Sequence, residues 1–156
     1  MAATAWVVWN RAKRNIGNGT IVLGTGITKI QLHQTGGATN QFSTTIALST
    51  AASIVTAGAT EVITANGYTV GGKSLLSMTW TAGSAATQIR FDAADPIWTA
   101  TGGTISTIKY ALLRNSTGAG AGKVICWSKL TTAAFNLTVN NTLTIQMAAA
   151  GIFNLS

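Results

Sequence analysis

Acidic residues are almost absent from this chain. Its 156 residues hold three carboxylates, Glu61, Asp92 and Asp95, against ten lysines and arginines, for a formal net charge of +7. Charged residues of both signs make up 8% of the sequence, where an ordinary soluble domain carries about 25%. General acid–base catalysis needs titratable groups converging in one pocket, and this inventory offers no paired arrangement. Hard cations want several oxygen ligands, so Asp92 and Asp95, which bracket two alanines before Pro96, read as turn-capping residues instead. The single histidine, His33, reads as a polar residue ending a strand. One cysteine, Cys126, excludes an internal disulfide framework and a multi-cysteine zinc site. Set among Val124, Ile125 and Trp127, it reads as a buried apolar thiol. No catalytic, cofactor-binding or metal-ligating residue is nominated, and the expectation is a protein that is not an enzyme.

Long apolar runs are missing too. No stretch approaches the ~18 residues of a membrane span, although mean hydropathy is +0.34, so no membrane partner is expected. The first fifteen residues run apolar (Ala5, Trp6, Val7, Val8, Trp9) and then basic (Arg11, Lys13, Arg14). A secretory signal has the opposite order, and the chain is expected to be soluble and unexported.

What the chain does have is apolar and hydroxyl-bearing material. At 47% hydrophobic it can bury a core, and its length fits one domain over residues 1–156. Its 26 threonines suit pleated, half-buried strands through β-branching. Ala5, Trp9, Ala12 and Ile16 fall at helical spacing before Gly17, which predicts a short helix over 5–16. Residues 18–156 are then expected to form a β-sandwich. Asn18-Gly19 marks a turn, and Ile21/Leu23 with Ile30/Leu32 predicts a hairpin.

From Glu61 onward short runs recur at sandwich or barrel spacing: residues 61–64, 74–81, 88–91, 97–99, 105–113, 124–128, 135–139, 142–147 and 152–155. Alternation puts Leu76, Met78 and Trp80 on one face, Ile108, Tyr110 and Leu112 on another, and Ile125 with Trp127 on a third. Turn signals at Asn66-Gly67, Gly71-Gly72, Gly102-Gly103, 118–122 and Asn140-Asn141 separate the runs. Residues 36–58 read as a loop with one helical turn. The fold class is mainly β: a sandwich, jelly-roll-like, with one short N-terminal helix.

Three motifs carry chemistry on paper. Gly67 to Ser74 satisfies the phosphate-loop formula of Gly, four residues, Gly-Lys-Ser, but such a loop needs a helix after it, and Leu76, Met78 and Trp80 alternate as in a strand. Five Asn-x-Ser/Thr sequons, at Asn18, Asn115, Asn136, Asn140 and Asn154, follow from the threonine content. The positive balance raises nucleic acid as a partner. Beyond Arg11, Lys13 and Arg14, however, the cations are scattered one per segment, which argues against nucleic acid and fits an acidic protein surface equally well. Trp80 and Trp127 sit in phase with apolar neighbours and are assigned to the core.

Taken in order, the segments Trp9-Asn10-Arg11-Ala12-Lys13, Gly19 to Leu23, Thr28 to Leu32, Gly67 to Gly72, Phe91 to Trp98, Tyr110 to Leu113, Thr142 to Gln146 and Gly151 to Leu155 carry a resemblance. The chain resembles small structural proteins of tailed bacteriophages, the capsid decoration or cement proteins, over nearly its whole length. The resemblance implies a virion location on the outside of an icosahedral head. There the protein would clamp neighbouring subunits of the major capsid protein, and it would associate with itself as a homotrimer or homodimer. It carries no catalytic motif and no cofactor. The expected contact residues are Trp6, Arg11, Lys13 and Arg14 around the helix, with Gly118, Gly120 and Gly122 in the glycine loop. The chain departs from the family pattern at Val22-Leu23-Gly24-Thr25-Gly26, where acidic residues would be common. The alternative expectation is a tail-fibre or adhesin-like β-domain that binds host glycans through Trp98.

Overall fold

The computed structural model describes residues 4–24, 27–34, 42, 60–82 and 88–155. The loop expected over 36–58 lies outside the described residues except for Phe42. The chain is mainly β with one short helix near the N-terminus, and every strand pairing among the described residues is antiparallel.

Residues 5–9 are not helical. Val7 and Val8 instead form β1 (Val7–Val8), which pairs with Trp127 and Cys126, as befits two adjacent β-branched residues. The helix α1 (Asn10–Gly17) begins after Trp9, whose extended backbone (φ −66°, ψ 142°) makes it the N-cap. Trp9 and Ala12 are buried as the spacing predicts, with Asn15 completing the covered face and Ile16 only half-buried. The chain then turns at Gly19 (φ 73°), two residues later than the expected stop.

The expected hairpin between residues 21–23 and 30–32 does not form. Ile21 and Leu23 are buried, yet the Ile21 amide bonds to the Asn15 carbonyl at 2.9 Å, tying this segment to the helix. Strand β2 (Thr28–His33) pairs instead with β8 (Tyr110–Asn115) on one side and β3 (Lys73–Ser74) on the other. Adding β9 (Val124–Lys129) and β1 gives a five-stranded sheet in the order β1-β9-β8-β2-β3. Three smaller sheets hold the other described strands. They join β4 (Thr79–Ala82) and β12 (Phe153–Leu155) to β5 (Ile89–Asp92), β11 (Thr142–Thr144) to β6 (Ile97–Thr99), and β10 (Phe135–Leu137) to β7 (Ile105–Ile108). These described strands do not assemble the two four-stranded sheets of a jelly roll.

The five-stranded sheet is covered on both faces. Ile30, Leu32, Ala111, Leu113 and Ile125 point into the main core, where Phe91, Trp98, Ile108 and Phe153 meet them from the smaller sheets. On the opposite face Tyr110, Leu112 and Val124 pack under Trp9, Ala12 and Phe42. That double burial explains why β8 reads as a continuous apolar run rather than an alternating one.

Three alternation readings fail for identifiable reasons. Ser77 has φ 50°, so the run over 74–81 is broken between β3 and β4, and Leu76 is 70% exposed. The run over 105–113 is interrupted at Lys109, where the chain leaves the β7 sheet and enters the five-stranded one, so Ile108 and Tyr110 belong to different cores. In β9, Leu113 faces Cys126 and Arg114 faces Val124, leaving Ile125 as an extra residue. This β-bulge sends Ile125 into the main core, whereas Trp127 packs with Tyr110 on the helix side. Cys126 is fully buried as expected, and burial holds its thiol pKa well above the ordinary value.

Candidate functional site

The basic residues of α1, Arg11, Lys13 and Arg14, are all exposed. The glycine loop lies beside the turn that follows the helix. Gly118–Gly120 forms a single 3-10 turn between β8 and β9, and Gly120 packs so closely that a Cβ there would stand 2.7 Å from the Thr20 carbonyl. The structure therefore brings the loop (Gly118, Gly120, Gly122) together with the C-terminal end of the helix region. Trp6 is elsewhere: the N-terminal segment runs alongside the far end of β9, with the Thr4 amide bonding the Lys129 carbonyl at 2.9 Å. The separation is about the length of that strand, roughly 20 Å at 3.3 Å per residue.

Around Trp6 lies a groove of about 690 Å³. It is lined by residues 4–6, by Ser128, Leu130 and Phe135, and by Leu143, Thr144, Ile145 and Gln146. None of its twelve lining residues is charged. Sequence reasoning named Trp6 but not the groove, because part of its lining comes from a segment more than 130 residues away.

All three carboxylates are engaged by hydrogen bonds. Glu61 accepts from the Tyr68 hydroxyl (2.7 Å), the Gly71 amide (2.7 Å) and the Gln31 side-chain amide (2.8 Å). Burial raises its pKa, opposed by the bonds from Tyr68 and Gly71 and by the Arg114 guanidinium. The Tyr68 hydroxyl in turn accepts from the Leu32 amide at 3.0 Å, and its pKa is raised by burial and by Glu61. Asp92 accepts from the neighbouring Ala93 amide, a local cap as expected. Asp95 instead accepts from the Met147 amide, pinning the chain after β11 to the β5–β6 connection. Among the described residues no group of three metal-ligating side chains converges, and no helix is long and apolar enough to cross a membrane.

The phosphate-loop lookalike has other work. Asn66 (φ 55°) and Gly67 (φ 98°) form a two-residue turn closed by reciprocal bonds between Ala65 and Tyr68. Gly72 lies against β2, where a Cβ would meet the Ile30 carbonyl at 2.2 Å. Lys73 sits in a strand, with its ammonium on the Ile97 carbonyl and 5.7 Å from the Trp98 ring centroid. Backbone amides that cradle a phosphate need a following helix, and β3 follows here.

His33 is fully buried, and neither ring nitrogen has a hydrogen-bond partner among the described residues. Its ring stands edge-on to Phe42 at 5.6 Å. Burial pushes its pKa down to about 4. Trp98, the residue proposed for stacking on a glycan, is only 3% exposed and belongs to the main core. That overturns its role as a surface platform, since β6 turns its ring inward while Ile97 and Thr99 face out. Trp80 and Trp127 are half-buried and packed against the cores, in line with expectation.

Neither a family model, nor a curated protein sequence, nor a solved structure matches this chain.

Proposed function

We propose that this protein is a non-enzymatic structural protein of a virion, a decoration protein that binds the outside of the head and bridges subunits of the major capsid protein. The observation that carries the reading is the unbalanced charge of the surface. None of the ten lysines and arginines is buried, and only three carboxylates oppose them, Asp95 exposed and Asp92 and Glu61 half-buried. The surface therefore presents positive charge with little of the opposite sign to offset it. It is complementary to an acidic protein surface, with Arg11, Lys13 and Arg14 its densest group. Repetition of such contacts over a symmetric shell turns modest individual affinity into avidity. The scarcity of charge overall lowers the desolvation cost of covering this surface.

Immunogold labelling of purified virions tests the proposal. Label over the head is expected, and replacing Arg11, Lys13 and Arg14 together with alanine is expected to abolish attachment to heads. Label confined to the tail tip would overturn the reading.

A further inference from the structure

The chain contains two Asn-Gly dipeptides, Asn18-Gly19 and Asn66-Gly67, and the fold treats them differently. In such a dipeptide the glycine nitrogen can attack the preceding side-chain amide, because glycine sets no side chain of its own in the way.

Asn66 is clamped. Its Nδ2 donates to the Thr104 carbonyl at 2.7 Å, and its backbone carbonyl accepts from the Thr101 amide at 2.9 Å. The Gly103 backbone presses on the same side chain, since a Cβ there would lie 2.6 Å from Asn66 Oδ1. Gly67 is wedged too, with its Cβ position 2.2 Å from the Thr99 carbonyl. Bringing Asn66 Cγ onto the Gly67 nitrogen breaks these contacts.

Asn18 is held at one oxygen. It caps the C-terminus of α1, and both it and Gly19 are exposed. Its Oδ1 accepts from the Thr20 amide at 3.1 Å, while Nδ2 has no partner among the described residues. A Cβ on Gly19 would meet nothing within 4 Å, so there is room to rotate Asn18 away from ψ 9°. The Gly19 amide donates to the Ile16 carbonyl at 3.1 Å. That bond lies at an exposed helix end and opens by fraying at small cost.

We infer that Asn18 is a self-modification site at which the chain deamidates, and that the fold protects Asn66 from the same reaction. The Gly19 nitrogen loses its proton to water and bonds to Asn18 Cγ, and Nδ2 leaves as ammonia. The resulting succinimide then takes up water to give aspartate or isoaspartate. The product sets a carboxylate at the C-terminal end of the helix, where the dipole disfavours it. It also lies one turn from Arg14, whose carbonyl bonds the Asn18 amide at 3.0 Å. The reaction thus lowers the net charge of +7 beside the densest group of cations. This inference concerns the chain's own chemistry and stands without the capsid reading.

Incubating the folded full chain at mildly alkaline pH, then digesting it and reading acid in place of amide at each site by peptide mass spectrometry, tests it. Asn18 is expected to convert at least about tenfold faster than Asn66. In concentrated urea at the same pH the two rates are expected to converge, because the unfolded chain presents the same dipeptide twice. Equal rates in the folded protein, or a faster Asn66, would overturn the inference. So would a gap that persists in urea, which would assign the difference to neighbouring sequence, or an Asn18 that converts only in urea. None of these outcomes bears on head labelling.

Discussion

Acid destabilisation centred on His33 offers the most direct check on the interior. The ring is fully buried, packs on Phe42 and faces Tyr110 across the strand pair, and its nitrogens bond nothing among the described residues. Other ionisable groups approach it: Lys109, whose amide bonds the His33 carbonyl; Lys129, paired with Tyr110; and Glu61, its bridge partner. Neither lysine offers a counter-charge, and the Glu61 carboxylate is taken up by Tyr68, Gly71 and Gln31. The folded state therefore holds the neutral ring, with a pKa of about 4 against 6.5 when unfolded. The unfolded chain binds the extra proton in that window, so stability is complete above about pH 6.5 and falls as the pH drops toward 4. At about 1.4 kcal/mol per pH unit, the loss by pH 4 is roughly 3 kcal/mol.

Glu61 works the other way, because its raised pKa favours the folded state at low pH and its contribution fades as pH rises past the ordinary carboxylate value. The wild-type slope is the difference of the two effects, and His33→Phe separates them. Urea unfolding of both proteins at about pH 7, 5.5 and 4 is expected to show the variant gaining roughly 3 kcal/mol on the wild type between the first and last. A difference between the two proteins that stays constant across that range would refute the picture of a neutral, unpartnered ring.

Two further outcomes follow from packing. Gly72→Ala should cost about 2 kcal/mol or more in unfolding free energy, since the left-handed backbone (φ 78°) and the approach to the Ile30 carbonyl both reject a side chain. The native Cys126 thiol should resist a water-soluble disulfide reagent and react fully in denaturant; rapid native labelling would contradict its placement between β8 and β1.

How much of this was legible in the sequence depended on whether the determinant was local. Strand β6 falls on the predicted residues 97–99, and the Asn66-Gly67 turn adopts the conformation its chemistry demands. The helix start was misplaced because Ala5 keeps helical spacing with Trp9 on paper, and only the open edge of β9 draws Val7 and Val8 into a strand. The bulge at Ile125 and the break at Lys109 leave no compositional trace, since each is fixed by which partner strand lies opposite. Trp98 lay in the predicted run 97–99, but nothing local says which way its ring faces, and its burial comes with the pairing of β6 with β11 more than forty residues later. For the candidate site, the cations were readable one by one, but their exposure was not, because only the fold shows which of them stand clear of the core.

The single residue between β7 and β8 has a mechanical consequence. With only Lys109 to span the gap, the sheet that holds β10 and the sheet that α1 covers are joined through a single residue, beside the left-handed bend at Thr107 (φ 58°). Neither can swing away from the other without tearing its own hydrogen-bond ladder at Ile108 or at Tyr110. A load applied to one of these sheets is thus passed to the other along the backbone itself.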